Sequence, residues 1–173
     1  MKPGCGLDSP TVQVAQASTK KVLIARFDRE PLEGFVQASD GWNNGTVELL
    51  SPAGAILQIP FADVKAVCFV RDFGAGETWR EHRAFLARPK ASGLWLRLRF
   101  RDGDSLEGIA PNDLLRNEPS GFNVTPPDPT FQNQRIFVPR EALSRVEVLG
   151  VIGSPLRRPR PIHDEQTQIK LFE

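Results

Sequence analysis

The strongest constraint on the fold of this chain is a unit of sequence that occurs twice. Residues 22–36 read VLIARFDREPLEGFV, and residues 96–110 read LRLRFRDGDSLEGIA. Each segment has an alternating run, a polar turn and a Leu-Glu-Gly triplet that opens a second run, as in two strands joined by a hairpin. A second match joins LQIPFADVKAVCFV at 57–70 to FVPREALSRVEVLG at 137–150. The sequence therefore predicts two tandem copies of one small β unit.

Each copy is predicted to contain about five short strands. Gly34 and Gly108 follow Leu-Glu inside a strand, where a missing side chain lets a strongly bent strand pass close to its neighbour, as in small barrels. Pro60 and Pro139 each end a strand. The few residues between each proline and the next strand are enough for a 3₁₀ turn and too few for a helix.

The predicted fold class is all-β, with two tandem five-stranded small barrels joined by a short helix. The strand order of each copy resembles the Sm-like or SH3-like small barrels. Trp79, Arg83 and Leu86 recur near helical spacing and favour that helix. The predicted boundaries are a flexible N-terminus (1–20), the first barrel (21–73), the linker helix (74–92), the second barrel (93–152) and a Pro/Arg-rich tail (153–173).

Charge and cysteine content limit the function classes. The chain has 22 Lys and Arg residues against 21 Asp and Glu residues, which gives a net charge of +1. The protein as a whole therefore has no strong positive electrostatic potential that would attract nucleic acid or anionic lipid. Cys5 and Cys68 are too far apart for a disulfide framework or a zinc site. The first twenty residues make a poor secretory signal, and no stretch has the length of a membrane span. We expect a cytoplasmic protein.

The sequence shows no arrangement typical of catalysis. The chain has two histidines, His82 and His163, far apart in sequence, and acidic residues near the first are Asp72, Glu77 and Glu81. A catalytic site needs a positioned base, an orienting group and a pocket. No spacing here supplies these, so we expect a protein that is not an enzyme and holds no metal or cofactor.

An arginine-rich strand face is the candidate surface for an anion or nucleic acid. Alternation along strand 94–100 places four apolar residues on one face: Leu94, Leu96, Leu98 and Phe100. The other face carries Trp95, Arg97 and Arg99, and Arg101, the next residue after the strand, continues the same alternation. Arginines can bind phosphates, and the indole can stack on a base. The alternative is a solvated strand face that nearby carboxylates neutralise, namely those of Asp102, Asp104 and Glu107. Glu33 and Glu107, which share a position in the two copies, are predicted to face solvent.

A polar loop in the second copy has no counterpart in the first copy. The segment PPDPTFQNQR includes Asp128, Asn133 and Arg135, and loops of this kind often carry recognition. This loop is the candidate site of a small-ligand or nucleotide sensor. Equally, Asp128 before Pro129 is suited to capping a turn.

Four stretches together resemble a family of uncharacterised bacterial proteins over about residues 20–150: CFVRDF (68–73), RFRDGDSLEG (99–108), GFNVTPPDP (121–129) and NQRIFV (133–138). The strand pattern of each copy also resembles the Sm-like and SH3-like small barrels, which include bacterial RNA chaperones. Where those chaperones carry an aromatic, basic and histidine-containing stretch, this chain has IPFADV and VPREAL. The resemblance implies a fold and brings no established activity.

The last residues read QIKLFE after a proline-rich stretch, SPLRRPRP, that suits an extended tether. Gln168, Ile169, Leu171 and Phe172 resemble the pentapeptide with which bacterial polymerases and repair factors dock on the DNA sliding clamp. The resemblance implies that Gln168 enters a polar pocket and that Leu171 and Phe172 fill a hydrophobic one. The alternatives are another protein partner, or a tail that folds back on this chain or its twin.

The expected function is a non-enzymatic binding or regulatory adaptor that engages a protein partner through barrel surfaces and the tail. An Sm-like nucleic-acid-binding protein that uses Trp95 and the arginines is the alternative, and a small-ligand sensor is a weaker one. Each copy is small and buries little apolar surface alone, so the copies are expected to pack together or to form a homo-oligomer.

Overall fold

A computed structural model describes residues 19–37, 42, 45–73, 83–113, 115, 119–128 and 133–153. The described part of the chain contains ten strands, five in each copy. The first copy consists of β1 (Thr19–Arg26), β2 (Leu32–Gln37), β3 (Thr46–Leu50), β4 (Ile56–Pro60) and β5 (Val64–Val70). The second consists of β6 (Gly93–Phe100), β7 (Ser105–Ala110), β8 (Gly121–Val124), β9 (Asn133–Pro139) and β10 (Leu143–Ile152). The all-β fold class is confirmed.

A 3₁₀ turn precedes the last strand of each copy, at Phe61–Asp63 and Arg140–Ala142. Each turn follows the proline that ends the preceding strand, as the sequence predicts. The proline fixes its own φ at −66° in Pro60 and −59° in Pro139, so the chain leaves the strand at the same angle in both copies. No described helix is long and apolar enough to cross a membrane.

The two copies agree in register as well as in strand order. Val22 on β1 lies opposite Gly34 on β2, and the matching Leu96 on β6 lies opposite Gly108 on β7. β1 also pairs with β5, and β6 pairs with β10, with a bulge at the same place in both pairs. The link between β2 and β3, Phe35 opposite Leu50, recurs as a bridge between Ile109 and Thr125. Equivalent residues can therefore be assigned one to one.

The pairing between strands differs from two closed barrels, which corrects the predicted architecture. Seven strands form one sheet in the order β4-β3-β2-β1-β5-β9-β8, and three form a second in the order β10-β6-β7. Within each copy, the fourth and fifth strands are not hydrogen-bonded neighbours. The second edge of β5 pairs instead with β9 of the other copy, so the two copies are joined through their strands rather than through a linker alone.

Strand β5 is buried on both faces because it contributes to two cores. Val64, Val67 and Phe69 pack in the first core, with residues from β1, β2, β3 and β4. Ala66, Cys68 and Val70 pack in the second core, with residues from β6, β7, β8 and β9. The sequence VKAVCFV is apolar at nearly every position, as expected for a strand covered on both sides. Removing either copy would expose one face of this strand.

Lys65 is the buried basic residue of β5 and ties the first copy to the second. Its ammonium group donates to Asp102 and, at 2.5 Å, to Asp104, both in the turn between β6 and β7. Arg83 also contacts the carboxylate of Asp104, at 3.0 Å. The hydrogen bond from Lys65 lowers the pKa of Asp104 below its ordinary value, while partial burial opposes that shift. The buried charge is thus compensated by two carboxylates.

This contact predicts loss of stability in acid. A depressed pKa in the folded state means that the Asp104 carboxylate stabilises the fold above its unfolded pKa of about 3.9, and that this contribution disappears as the pH falls through the lower, folded value. We expect Asp104→Asn to lower the melting temperature near neutral pH and the gap from wild type to shrink below about pH 4. Thermal melts across pH test this, with Asp113→Asn as control. A gap that is constant with pH would contradict it.

The described part of the predicted linker helix, residues 83–92, contains no helical turn, and residues 74–82 lie outside the described residues. Its backbone groups bond to β7 instead of to each other. The amide of Glu107 donates to the carbonyl of Arg83 at 2.7 Å, and the amide of Phe85 donates to the Glu107 carboxylate at 3.2 Å. Helical spacing on this segment did not specify a helix because tertiary hydrogen bonds compete for the same groups.

The glycines of the two Leu-Glu-Gly triplets lie where neighbouring strands approach closely. A Cβ atom on Gly34 would lie 2.5 Å from the carbonyl oxygen of Leu50, and one on Gly108 would lie 2.7 Å from Cβ of Val124. We expect Gly108→Ala to lower the free energy of unfolding by about 1–3 kcal/mol through overpacking. Chemical denaturation tests this, and Gly150→Ala, whose nearest neighbour would lie 3.9 Å away, is the control. Equal effects of the two changes would contradict the account.

Candidate functional site

The outer face of β6 and β7 centres on Glu107, a buried carboxylate. Its Oε2 accepts a hydrogen bond from the indole nitrogen of Trp95 at 3.1 Å and one from the amide of Phe85 at 3.2 Å. Its Oε1 accepts from Arg97 at 2.9 Å. The prediction that Glu107 faces solvent is wrong, because the segment that contains Phe85 covers it. Glu33, its equivalent in the first copy, is half-buried.

The arginines of β6 are held by carboxylates. Arg97 contacts both Glu107 and Glu147, and Arg99 contacts Glu147 at 3.2 Å. Arg145 on β10 contacts the same Glu147 carboxylate at 3.3 Å. Glu147 is opposite Arg97 in the register of β10 and β6, which explains why these charges meet. A phosphate that binds this face would have to compete with the two glutamates.

Arg101 is separate from the other arginines. It lies beyond the end of β6, donates to the carbonyl of Ala62 at 2.5 Å, and has its guanidinium 3.9 Å from the centre of the Phe27 ring. It therefore belongs to the contact between the two copies. Trp95 lies edge-on to Phe85, with ring centres 6.0 Å apart, and its nitrogen is bonded to Glu107. The four predicted residues do not form a single line.

The residues of the predicted recognition loop are spread over two places. Asn133 and Arg135 belong to strand β9. Asp128 is exposed and lies near the start of the loop, a few residues after β8. The guanidinium of Arg135 lies 4.2 Å from the centre of the Phe69 ring on β5. Arg135 thus stabilises the junction between the copies, where a cation over an aromatic face is favourable.

An open groove lies beside Asp128. Its volume is about 440 Å³, and its walls are residues 84–91 on one side and Ile109 with residues 125–128 on the other. Most of the lining is alanine, proline and leucine, and Leu86 is 93% exposed. The sequence gives no sign of this groove, because the helical spacing in segment 83–92 predicts a helix where the structure has a non-helical segment that forms one wall.

Two unpaired sheet edges carry further apolar side chains. On β4, Ile56 and Leu57 are exposed, and on β10 Val148 and Val151 are exposed. β4 pairs with β3 alone, and β10 pairs with β6 alone, among the described strands. An edge strand offers unpaired amide and carbonyl groups to any strand that can approach it. These edges are the surfaces of the described chain that are most open to another polypeptide.

The tail residues Gln168, Ile169, Leu171 and Phe172 lie outside the described residues, as do Glu77, Glu81, His82 and His163. The described part of the chain holds no group of three or more His, Cys, Asp or Glu residues that could bind a metal ion. No curated protein and no solved structure matches this chain. A family of unknown function matches residues 18–150, which include all ten strands except the last two residues of β10. The chain belongs to this family of unknown function, DUF6982.

Proposed function

We propose that this protein is a non-enzymatic binding or regulatory module that engages another protein chain. The observation that supports this most is that two sheet edges of the described chain, β4 and β10, have no neighbouring strand and carry exposed apolar side chains. A peptide strand that adds to such an edge gains main-chain hydrogen bonds, while alternate side chains provide specificity. The open groove beside Asp128 and the C-terminal tail are further contact surfaces in this proposal.

Each copy is proposed to be an Sm-like unit. Support comes from the first strand of each copy, which lies between the second and the fifth strands. A cytoplasmic location is part of the proposal and is supported by the cysteine content, since Cys5 and Cys68 are too few and too far apart in sequence for a disulfide framework.

The tail is proposed to bind a protein, with the bacterial DNA sliding clamp as the named candidate. The sequence QIKLF supports this, because large apolar side chains at the end of a polar tether favour burial against a partner. The test measures binding of the full chain to purified clamp. The double change Leu171→Ala and Phe172→Ala should abolish binding and leave the melting temperature unchanged, and Lys170→Ala, at the variable position, should retain binding. A lowered melting temperature would assign the tail to the fold.

A pull-down from cell extract tests the broader proposal, with the tail variants and with two edge variants. We expect specific partners that are lost when Ile56 or Val148 is replaced by a charged residue, or when the tail is changed. A set of captured proteins identical for wild type and all these variants would contradict the module as proposed.

Nucleic-acid binding is the alternative function, and one observation favours it. Among the described residues, the three arginines Arg97, Arg99 and Arg145 pair with two carboxylates on this face, those of Glu107 and Glu147, which gives a surplus of one positive charge. Binding through phosphates would weaken steeply as salt rises, and the double change Arg97→Ala and Arg99→Ala would weaken it further. Filter binding with single-stranded RNA and DNA at several salt concentrations tests this. Absent or salt-insensitive binding would exclude the alternative.

A further inference from the structure

We propose that β10 of one chain pairs with β4 of a second copy, so that chains join head to tail. This inference rests on the proposed function, since it names the partner that the two edges bind. Its starting point is the contact that already joins the two copies within one chain, between β5 and β9. There Val67 lies opposite Phe137, Cys68 opposite Ile136 and Phe69 opposite Arg135.

The repeat assigns a role to each unpaired edge. β10 is the equivalent of β5, because both follow a 3₁₀ turn and pair with the first strand of their copy through the same bulge. β4 is the equivalent of β9, because both end in a proline and pair with the third strand of their copy. One fifth strand, β5, is therefore joined to one fourth strand, β9. Among the described strands, the other fifth strand, β10, and the other fourth strand, β4, have no such neighbour.

The exposure of β10 shows what this missing neighbour would cover. Phe69 on β5 is 8% exposed, whereas its equivalent on β10, Val148, is 62% exposed. Val148 lies opposite Leu96, a residue of the second core, so it shares the core-facing side of the sheet. The valine is in the position of a core residue, but no described strand pairs with the other edge of β10.

The edge of β4 shows the same difference. Ile136 on β9 is 3% exposed because β5 lies beside it, whereas its equivalent on β4, Leu57, is 38% exposed. The adjacent Ile56 is 65% exposed. A strand beside β4 would cover Leu57 and Ile56, as β5 covers the edge of β9.

The internal contact also fixes the register. Phe69 opposite Arg135 corresponds to Val148 opposite Ile56, so two strongly exposed apolar side chains would become a cross-strand pair. The charged residues of β10, Arg145 and Glu147, alternate with the valines and point to the other face, where Glu147 is bonded to arginines. They therefore do not enter the apolar side of the contact.

The two edges lie at opposite ends of one series of ten strands. The bridge between Ile109 and Thr125 connects the three-stranded sheet to the seven-stranded one, so the series runs from β10 to β4. Pairing between two different edges is a head-to-tail contact, which closes into a ring or continues as a filament.

The first test is the molar mass of the full chain by light scattering, from micromolar to submillimolar concentrations. We expect a mass above the 19.2 kDa of one chain. Ile56→Asp and Val148→Lys should each weaken the contact by at least about tenfold, because a charge would be buried opposite an apolar side chain. Leu115→Asp is the control: Leu115 is 97% exposed, lies on neither edge strand and does not line the groove.

The second test is disulfide formation between chains, in a Cys5→Ser background. Mixing a Val148→Cys chain with an Ile56→Cys chain should give a covalent dimer under mild oxidation. Mixing Val148→Cys with Leu57→Cys should not, because neighbouring residues of a strand point to opposite faces. Equal cross-linking of the two mixtures would overturn the proposed register.

The outcomes separate this inference from the proposed function. A single-chain mass at every concentration, together with absent cross-linking, would overturn self-pairing and leave the clamp and pull-down experiments to decide on protein binding. A higher mass that persists in both edge variants would overturn β4–β10 pairing. A higher mass that is lost in both edge variants and kept in Leu115→Asp would establish it.

Discussion

Replacing Phe137 by alanine is expected to lower the free energy of unfolding by about 3–5 kcal/mol. Phe137 is on β9 of the second copy, yet its fully buried ring packs in the first core. It stacks on Trp42 with ring centres 4.4 Å apart and an angle of 10° between the rings, and it lies 5.8 Å from the ring of Phe61. Because the ring connects the copies, the whole protein should unfold in one transition at lower denaturant.

Chemical denaturation followed by tryptophan fluorescence measures this effect, since Trp42 lies in the first copy and Trp95 in the second. Phe122→Ala is the matched control: this phenylalanine is on the adjacent strand β8, is only half-buried and packs against the second core. We expect a smaller loss for the control. A Phe137→Ala protein as stable as wild type would mean that the copies do not share a core.

The second large effect is expected for Glu107→Ala, at about 2–3 kcal/mol. The change removes the acceptor for the Trp95 indole and the Phe85 amide, and it leaves Arg97 without its nearer carboxylate. An unsatisfied donor in a covered site costs more than the bond itself contributes, because water cannot replace the acceptor. Thermal and denaturant melts test this, and Glu107→Gln should recover part of the loss.

Glu147→Ala serves as the control for Glu107→Ala. Both carboxylates bind Arg97, but Glu147 makes its contacts at the surface with half-exposed or exposed arginines. Surface ion pairs contribute about 1 kcal/mol or less, so the control should be nearly as stable as wild type. A larger loss of stability for Glu147→Ala than for Glu107→Ala would contradict the account, which attributes the effect to the burial of Glu107.

The sequence predicted the repeated unit well because its signals are local. Alternation of apolar residues, the Leu-Glu-Gly triplets and the prolines at 60 and 139 specify strands, close approaches and 3₁₀ turns from neighbouring residues alone. All of these features recur in the structure at equivalent positions of the two copies.

The pairing between the copies could not be predicted, because it depends on contacts distant in sequence. The apolar run VKAVCFV is typical of a strand buried on both faces, but it does not identify β9 as the second neighbour. The burial of Glu107 depends on segment 83–92, whose helical spacing was misleading. Period-two alternation gives the face on which a side chain lies, but not what covers that face.

Because the two copies are equivalent, the internal contact between β5 and β9 predicts how β10 and β4 would pair. β5 shows what covers a fifth strand when its neighbour is present, and β10 shows the same kind of strand with its apolar side chains exposed. We therefore propose that the open edges of β4 and β10, rather than the arginine face, bind another polypeptide.

Hydrogen exchange of the native protein tests the central claim most directly, namely that β4 and β10 are pairing surfaces. The outward-facing amides of residues 56–59 and 143–152 should become more protected as protein concentration rises, while those of β5, which already has neighbours on both sides, should be protected at every concentration. The same data report on residues 168–173, where fast exchange indicates an available tail. Concentration-independent, rapid exchange at the outward amides of both edge strands, with β5 protected, would contradict the claim.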